Sequence, residues 1–426
     1  MKHAAGAARP VLVGLVVLAI SSYLTLILAG RILGAAQFSG IAALYALLTA
    51  VATGLFQPLE QEISRRRGRE WETHSAERTL VVRAARVGLG LAAATIALAV
   101  LLNRQAVGLL GHEPQLLAAF CVGLPGYALC FVVRGMLAGN RQLNRYGTQL
   151  AVEGTSRLLG LAVLASAGVS SSVAYGWLFA AAPWIAVAAC LVGWRPGEQA
   201  SQRAPAVPLL APLSLLLISA LAAQLLIGAG PLTAQLFATT TDQARVGAFL
   251  AALVVVRLPV LLFTAVQPSL LPSLSAHAAM GRRKEFRTLL AGVLAGTAVV
   301  GLVNLVGIVL LGPWFLRVAF GGGFTLSAAL VALMCVSVGL FLLALVLGQG
   351  VLALGNHRGV TAAWLSGLVG LAVGIGFGTD PVVRATLGLL VGAAFVTVSF
   401  AGLLWRSTRR RESIEVQPLP DPFTTA

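Results

Sequence analysis

Charged side chains inside long apolar stretches are the residues of this sequence best suited to chemistry. Arg257 lies about halfway along the apolar segment VVVRLPVLL. An arginine at the centre of a bilayer costs about 2.5–3.5 kcal/mol, so such a residue normally faces a partner or a water-filled cavity. Pro259 interrupts the hydrogen bonding of the same predicted helix and frees a backbone carbonyl. We therefore predict that Arg257 either binds an anion in a central cavity or forms a structural ion pair with a carboxylate of another helix.

Glu153 and Arg157 form a second charged group in an apolar segment. They stand four residues apart, so they share one face of a predicted helix and can neutralise each other. Alternatively, Arg157 faces the same cavity as Arg257, where its planar guanidinium would match phosphate oxygens. Both interpretations stay open at the level of the sequence.

Glu60 and Glu62 end an apolar segment and are followed by an arginine burst, Arg65 to Arg69. Two residues apart on a helix, these carboxylates point in different directions and do not make a paired acid–base site. Glu60 is predicted either to be solvated at the membrane surface or to pair with Arg134 or Arg141 as a latch between moving helix ends. The burst itself is explained by membrane topology and by contact with anionic headgroups. The candidate gating residues are Glu60, Glu62, Glu153 and Arg141.

Motifs of nucleotide, hydrolase and metal sites are absent from the sequence. It contains no GxxxxGK(S/T) loop, no GxSxG elbow and no HExxH helix. The five histidines are scattered, and the four cysteines lie in apolar segments without a CxxC pair, so neither a metal site nor a disulfide framework is predicted. The connections between apolar segments are too short for a catalytic domain. We expect no enzymatic activity and no cofactor.

The composition predicts an all-α integral membrane protein. Hydrophobic residues make up 58% of the 426 residues and charged residues only 10%, too little polar surface to coat a soluble protein of this length. About 20 apolar residues are needed for each span. We count twelve predicted spans, at 10–29, 38–57, 84–102, 115–133, 147–168, 173–193, 208–229, 246–271, 288–311, 326–350, 360–378 and 384–405.

Basic residues set the predicted orientation, because Lys and Arg near span ends are retained in the cytoplasm. With the N-terminus inside, most of the 30 Lys and Arg residues fall on the cytoplasmic side. The net charge of +16 is therefore a topology signal, and we expect no nucleic-acid partner. The predicted location is the cytoplasmic membrane, multi-pass, with both termini cytoplasmic. The predicted outer loops hold only Arg31, Arg104, Arg245, Arg317 and Arg384.

Repeated segments indicate an internal duplication. Gln57-Pro58 and Gln267-Pro268 stand at equivalent span ends, and RGMLAGNRQ from Arg134 matches GQGVLALGNHR from Gly348 at nearly the same separation. This pattern predicts two pseudo-symmetric six-helix bundles, with an N-terminal domain at 1–200 and a C-terminal domain at 201–411. A disordered cytoplasmic tail is predicted at 412–426.

Glycines four residues apart predict close packing between helices, since backbones without Cβ atoms can approach. The relevant residues are Gly370, Gly374 and Gly378 in one span and Gly292 and Gly296 in another.

On these residues the chain resembles the multidrug/oligosaccharidyl-lipid/polysaccharide (MOP) exporter superfamily, specifically its polysaccharide-export branch of the actinobacterial type. The similarity is spread over essentially the whole chain. The matching segments are RILGAAQFSGIAALYALL, EQEISRR, RGMLAGNRQLNRYG, RLPVLLF and FGGGF.

This resemblance implies a MATE-like fold and a flippase. The expected substrate is an undecaprenyl-pyrophosphate-linked oligosaccharide, moved to the outer leaflet for cell-surface polysaccharide synthesis. In related lipid II flippases a cationic cavity between the lobes receives the pyrophosphate, and by that resemblance Arg257, Arg157 and Arg134 are the expected substrate-binding residues. The extra helices of lipid II flippases have no counterpart among the twelve spans, which favours an O-antigen-like or teichuronic-acid-like substrate.

Partners and alternatives follow from the same resemblance. The expected partners are the lipid-linked glycan and anionic membrane lipids, and glycosyltransferases of the same pathway are candidates. A drug or metabolite antiporter of the same superfamily is the first alternative, although it would need intramembrane carboxylates and only Glu153 qualifies. An envelope-glycan polymerase or ligase is the second, and the short outer loops argue against it.

Overall fold

The computed structural model describes residues 2–70, 77–192 and 214–415 of the chain. Helices dominate this part of the molecule, and none of its residues forms a strand. The helices are α1 (Lys2–Glu70), α2 (Glu77–Leu101), α3 (Asn103–Leu109), α4 (Pro114–Gly139), α5 (Leu143–Ser166), α6 (Ser172–Leu191), α7 (Ser214–Phe237), α8 (Gln243–Val256), α9 (Leu258–Ala279), α10 (Arg283–Phe320), α11 (Ala328–Ala353), α12 (His357–Gly376) and α13 (Pro381–Glu415).

Helix α1 folds back on itself at Gly34. This glycine has φ 75° and ψ 169°, a backbone conformation that side chains with a Cβ rarely adopt. Residues near both ends of α1 consequently meet the start of α5. A Cβ added to Gly147 would overlap the carbonyl of Pro10, and the hydroxyl of Tyr146 donates to Glu60 at 2.7 Å. We refer to the two antiparallel parts of α1, 2–33 and 35–70, as its first and second arms.

Twelve helical passes are present in the described residues. Ten helical stretches are long and apolar enough to cross a membrane, and one of them, Arg9–Arg67, contains both arms of α1. Helix α5 supplies the remaining pass. It is less apolar than the others because it carries charged residues such as Glu153 and Arg157. Helices α8 and α9 are two halves of one pass. The protein is therefore a multi-pass membrane protein, and the predicted all-α fold with about twelve transmembrane helices is confirmed.

The passes divide evenly between the N-terminal helices, α1–α6, and the C-terminal helices, α7–α13. Nearly all packing between the two groups is made by α1, which contacts α7, α8 and α10. The second arm lies so close to α7 that a Cβ on Gly54 would approach Leu221 to 2.8 Å. Small residues thus let α1 act as the shared wall between the groups.

The two groups also repeat a turn. Arg141, between α4 and α5, has φ 56°, and Gly355, between α11 and α12, has φ 77°. Each residue follows the C-terminal cap of one helix and precedes the N-terminal cap of the next. The turns stand at the same distance from Arg134 and Gly348, the residues that begin the matched segments. The pseudo-symmetry expected from the sequence is therefore visible in backbone geometry.

The predicted domain limits fall mostly on residues that the structure does not describe. The boundary between 200 and 201 lies in 193–213, which is not described, so the two-domain division stays a prediction. Helix α13 continues to Glu415, beyond the predicted start of the tail at 412. The rest of the predicted tail, 416–426, is not described.

The close packing predicted from the glycine spacing is present in α12 and absent in α10. In α12, Cβ atoms on Gly370 and Gly374 would run into α13, at Phe395 and at the carbonyl of Leu387. Gly292 and Gly296 in α10 have nothing near them, so the prediction that they pack is wrong. The buried residues of α10 lie near its ends, and its middle faces outward. Glycine spacing indicates that a helix can be approached closely, but a partner must also be there.

Replacement of Gly374 by Ala should destabilise the protein, because the new methyl group would overlap the backbone of α13. Overpacking of this kind typically costs about 1–3 kcal/mol. Gly292→Ala is the matched control and should be neutral or slightly stabilising, since alanine is the better helix former. Thermal unfolding of both variants in detergent would check this, and equal midpoints would contradict the assigned α12–α13 contact.

Candidate functional site

A cavity of about 260 Å³ lies between α1 and the C-terminal helices α7 and α8. Both arms of α1 contribute to it, so it sits where the two groups of helices meet. Most of its wall is Leu, Ile, Val, Ala and Gly. The polar side chains at its surface are Tyr23, Tyr45, Thr49, Gln224 and Arg257.

The backbone around Arg257 is broken as the sequence predicts. Helix α8 ends at Val256 and α9 begins at Leu258, with Arg257 itself at φ −84° and ψ 0°. The amide of Val260 donates to the carbonyl of Arg257 at 3.0 Å, one residue short of the α-helical pattern. The carbonyl of Val256 is left free and accepts from Nδ2 of Asn304 at 3.1 Å. Because Arg257 lies between two helices, the direction of its side chain is not fixed by the helical repeat of either one.

The Arg257 guanidinium borders the cavity and is only partly buried. It donates to the carbonyl of Ile227, a residue of α7. No carboxylate of the described residues contacts it, so the alternative of a structural ion pair is not realised there. On its other side Arg257 also borders a smaller cavity of about 40 Å³ toward Ser337 and Phe341. The guanidinium of Arg257 can therefore still bind an anionic group in the cavity.

Glu153 is the centre of a buried charge cluster. One carboxylate oxygen accepts from Arg157 and the other from Arg134. Arg157 also donates to the hydroxyls of Tyr127 at 2.8 Å and Ser22 at 3.1 Å. The exposed fractions of Glu153, Arg157 and Arg134 are 2%, 2% and 6%. The predicted pairing of Glu153 with Arg157 is therefore present, and Arg134 from α4 completes it.

Arg134 and Arg157 are held in this cluster and do not lie at the cavity that Arg257 borders. Neither of the first two lines the cavity of about 260 Å³ described above. Each guanidinium also lies near an aromatic ring, with Arg134 5.0 Å from the centroid of Phe131 and Arg157 5.7 Å from that of Phe179. In this structure the two arginines hold α4 and α5 together. Their predicted substrate-binding role stays a prediction.

Glu60 has a different partner from those expected. It accepts from the hydroxyl of Tyr146 at 2.7 Å, and no ion pair with Arg134 or Arg141 is found among the described residues. Arg134 contacts Glu153 instead, and Arg141 is exposed in the turn after α4. The expected pairing of Glu60 is therefore corrected to Tyr146, which the sequence offered only within the segment RGMLAGNRQLNRYG.

Glu62 is neutralised on its own helix. Its Oε1 lies 2.6 Å from Arg65 and 2.7 Å from Arg66. Both arginines belong to the arginine burst that follows Glu62, so part of that burst neutralises the Glu62 carboxylate. The gating roles predicted for Glu60, Glu62, Glu153 and Arg141 stay predictions.

The end of the molecule that carries Gly34 is closed by contacts between the two groups of helices, and we call it the turn end. Phe38 packs on Phe320 and Phe324, with ring centroids 5.7 and 6.0 Å apart. Ser39 donates to Gln243 at 2.6 Å. Phe38, Ser39, Phe320 and Phe324 stand in the segments RILGAAQFSGIAALYALL and FGGGF that carry the family resemblance, but nothing in those segments indicates which residues they contact.

Helices α1, α4, α9 and α13 finish at the opposite end, and we call it the basic end. The arginine-rich segments found in the sequence lie there, in helix ends at Arg65 and Arg406 and in turns at Arg141 and Arg282. The two ends therefore differ in charge.

Comparisons with known proteins place the chain among related sequences. No protein-family model matches it. It is 30% identical over 405 residues to the uncharacterized protein Rv1510 of Mycobacterium tuberculosis strain H37Rv, covering 89% of this chain and 88% of that protein. It is 28% identical over 411 residues to the uncharacterized protein Rv3630 of the same strain, covering 90% of each.

Solved structures with the same fold are MATE family transporters. An inward-facing multidrug resistance MATE transporter of the MOP superfamily has a TM-score of 0.70 at 13% identity, covering 94% of this chain and 96% of that one. An outward-facing structure from that family has a TM-score of 0.63 at 13% identity, covering 96% and 95%. The Vibrio cholerae MATE transporter VcmN in its bent form has a TM-score of 0.59 at 15% identity, covering 96% and 98%. The MATE-like fold is thereby confirmed.

Replacement of Glu153 by Gln should destabilise the protein strongly, because it leaves two buried guanidinium groups without a counter-charge. Removing one partner of a buried ion pair typically costs about 3–5 kcal/mol. Arg157→Met should cost less, since it leaves the Arg134–Glu153 pair balanced. The thermal unfolding midpoints of the two variants would be compared in detergent. The exposed Glu113→Gln serves as control, and a smaller loss for Glu153→Gln than for Arg157→Met would contradict the bridging role.

Proposed function

We propose that this chain, which belongs to the same family as the uncharacterized protein Rv1510 of Mycobacterium tuberculosis, is a MOP-superfamily exporter that works by alternating access. More specifically, it is a flippase for an undecaprenyl-pyrophosphate-linked oligosaccharide in cell-surface polysaccharide synthesis. The observation that supports this most is Arg257, a cation at a helix break that borders a cavity between the two groups of helices and contacts no described carboxylate.

The chemistry of the cavity fits an amphipathic anion. A pyrophosphate that carries sugars cannot cross hydrocarbon unaided, whereas its polyprenyl chain can remain in the lipid. The guanidinium of Arg257 would take a phosphate oxygen, and a planar fork of donors suits that contact. The apolar walls around Leu250 and Val254 would tolerate the first isoprene units. In this proposal Arg134 and Arg157 become available only if another conformation loosens the Glu153 cluster.

Alternating access would use the difference between the two ends. The turn end is sealed by the Phe38 contacts and the Ser39–Gln243 hydrogen bond. The basic end would face the cytoplasm by the positive-inside rule, with both termini there. Substrate would enter from that side, and rocking of the two groups of helices would open the turn end. Glycosyltransferases that complete the glycan would act on the same cytoplasmic side.

Cation-coupled antiport is less well supported. Such a mechanism needs an intramembrane carboxylate that is free to bind and release a cation. Glu153 is held by Arg134 and Arg157, and its two oxygens are both engaged. A polymerase or ligase is disfavoured by the connections of the described residues, which are short turns between helices.

Replacement of Arg257 by Ala should slow translocation of the lipid-linked glycan by about 10- to 100-fold. Loss of a hydrogen bond to a charged group costs about 1.5–3 kcal/mol, and every 1.4 kcal/mol is tenfold. Arg257→Lys keeps the charge and should retain more activity than Arg257→Ala. The measurement is the accessibility of the glycan on each leaflet of reconstituted vesicles.

Arg245→Ala is the matched control for that experiment. Arg245 lies on α8, the helix that ends just before Arg257, but it is more than half exposed, pairs with Asp380 at 2.6 Å and does not line the cavity. The Arg245→Ala variant should translocate the lipid-linked glycan at the rate of the unaltered protein. The unfolding midpoint of each variant is measured to show that the variant is folded. Full activity of a folded Arg257→Ala protein would remove the anion-binding role.

Cross-linking the turn end should stop transport. Cysteines placed at Ser39 and Gln243 in a protein without its native cysteines can be joined by a short bifunctional thiol reagent, since the two side chains are in contact. Transport should fall to background after treatment, because the contact must open in every cycle. The native cysteines to be replaced by Ser are Cys121, Cys130, Cys190 and Cys335.

A second cysteine pair controls for the chemistry of cross-linking. Ser366 and Ser399 lie 2.8 Å apart, oxygen to oxygen, on α12 and α13. Both helices belong to the C-terminal group, so their cross-link should leave transport intact. If the two cross-links had the same effect, or if the Ser39–Gln243 cross-link were harmless, the turn end would not be a moving contact.

A further inference from the structure

A second cavity, of about 230 Å³, opens at the basic end of the C-terminal helices. It lies between the α9–α10 turn, the α11–α12 turn and α13, and it shares no residue with the cavity around Arg257. One part of its wall is apolar, formed by Phe286, Val351, Leu354 and Leu403. The cavity therefore offers hydrocarbon contact at the level where the helices leave the membrane.

The rest of the wall consists of hydrogen-bond donors and positive charge. Arg282, Arg283 and Arg287 line it, and Arg282 forms no ion pair with a described residue. His277 also lines it, and its Nδ1 atom is buried without a hydrogen-bond partner in the described structure. Asn356 uses its Oδ1 to accept from the amide of Gly359 at 2.9 Å, which leaves its NH₂ group as a donor. No Asp or Glu is among the residues that line the cavity.

The equivalent place in the N-terminal helices is different. There the segment QPLEQE supplies Glu60 and Glu62, which accept from Tyr146 and from Arg65 and Arg66. The matching segment QPSLLP, from Gln267, has no acidic residue. The first half of the chain thus places two carboxylates beside its arginines at the basic end, where the matched segment of the second half places none.

Neighbouring segments do not reverse this imbalance. Next to the cavity, the stretch from Arg282 to Arg287 holds four basic residues and one glutamate. The continuation of α13, from Arg406 to Glu415, adds four arginines and two glutamates. The second half therefore keeps an excess of positive charge around a cavity that is apolar on one side.

We propose that this cavity binds a phosphate group, and that the phosphate is the headgroup of an anionic membrane lipid. The phosphate lies against Arg282, where charge-assisted hydrogen bonds are strongest, and the NH₂ group of Asn356 is a further donor. The glycerol and the first methylenes lie on Phe286 and Leu403. A free phosphate ion would satisfy the donors but would leave the apolar wall without a partner, which is why the lipid is the better match. The site is independent of the proposed transport function.

Native mass spectrometry of the purified full chain in detergent tests this proposal. The protein is titrated with phosphatidylglycerol, with phosphatidylcholine and with inorganic phosphate. Arg282→Ala should weaken binding of the first phosphatidylglycerol by about tenfold, the lower end of what a hydrogen bond to a charged group contributes, because Arg282 is exposed. Arg282→Lys should recover part of that loss. Phosphatidylcholine should bind more weakly than phosphatidylglycerol to the unaltered protein.

Lys284→Ala is the matched control. Lys284 is exposed, belongs to the same turn and does not line the cavity, so its loss should change the affinity by less than about twofold. Equal losses for Arg282→Ala and Lys284→Ala would mean that only diffuse surface charge attracts the lipid, and would overturn the site. Inorganic phosphate that displaces the lipid would support the phosphate site, and phosphate that binds alone while the lipid does not would overturn the lipid as its source. Because no readout involves transport, a failure here leaves the Arg257 proposal untouched.

Discussion

Compensation of charge within a membrane is the constraint on which this structure depends. An ionised side chain in hydrocarbon must find an opposite charge, hydrogen-bonding groups or water. Glu153 meets this requirement by bridging Arg134 and Arg157, and the bridge joins α4 to α5. Arg257 meets it differently, with one backbone carbonyl and a cavity. The first arrangement is a closed structural cluster, whereas the second leaves capacity for a ligand.

Helix α1 translates that constraint into architecture. Its first arm carries Ser22 to the charge cluster and Tyr23 to the cavity, so adjacent residues serve the two sites. Its second arm is the wall against which α7 packs. The fold-back at Gly34 also creates the turn end, where Phe38 and Ser39 meet the C-terminal helices. A change in the angle between the groups of helices would thus be felt at the cavity and at the turn end together.

The sequence predicts those features that depend on local spacing. The spans follow from apolar length, the Glu153–Arg157 pair from a spacing of four, and the break at Arg257 from Pro259. Contacts between segments that are distant in the sequence could not be predicted in this way. Nothing in the spacing marks Arg134 as a second partner of Glu153, or Tyr146 as the partner of Glu60, since each pair depends on how helices are arranged in three dimensions. Gly292 and Gly296 show the same limit, because a pattern on one helix does not reveal whether another helix lies against it.

The two halves of the chain use one backbone plan but place their carboxylates differently. In the N-terminal helices the buried Arg134 and Arg157 share Glu153, and Glu62 at the basic end pairs with the arginines that follow it. In the C-terminal helices Arg257 has no described carboxylate, and Arg282 at the basic end has none either. The buried arginines of the first group therefore hold a carboxylate of their own and need no anion from outside. Arg257 and Arg282 keep capacity for one. An anion bound there would favour whichever arrangement of the helices binds it more tightly.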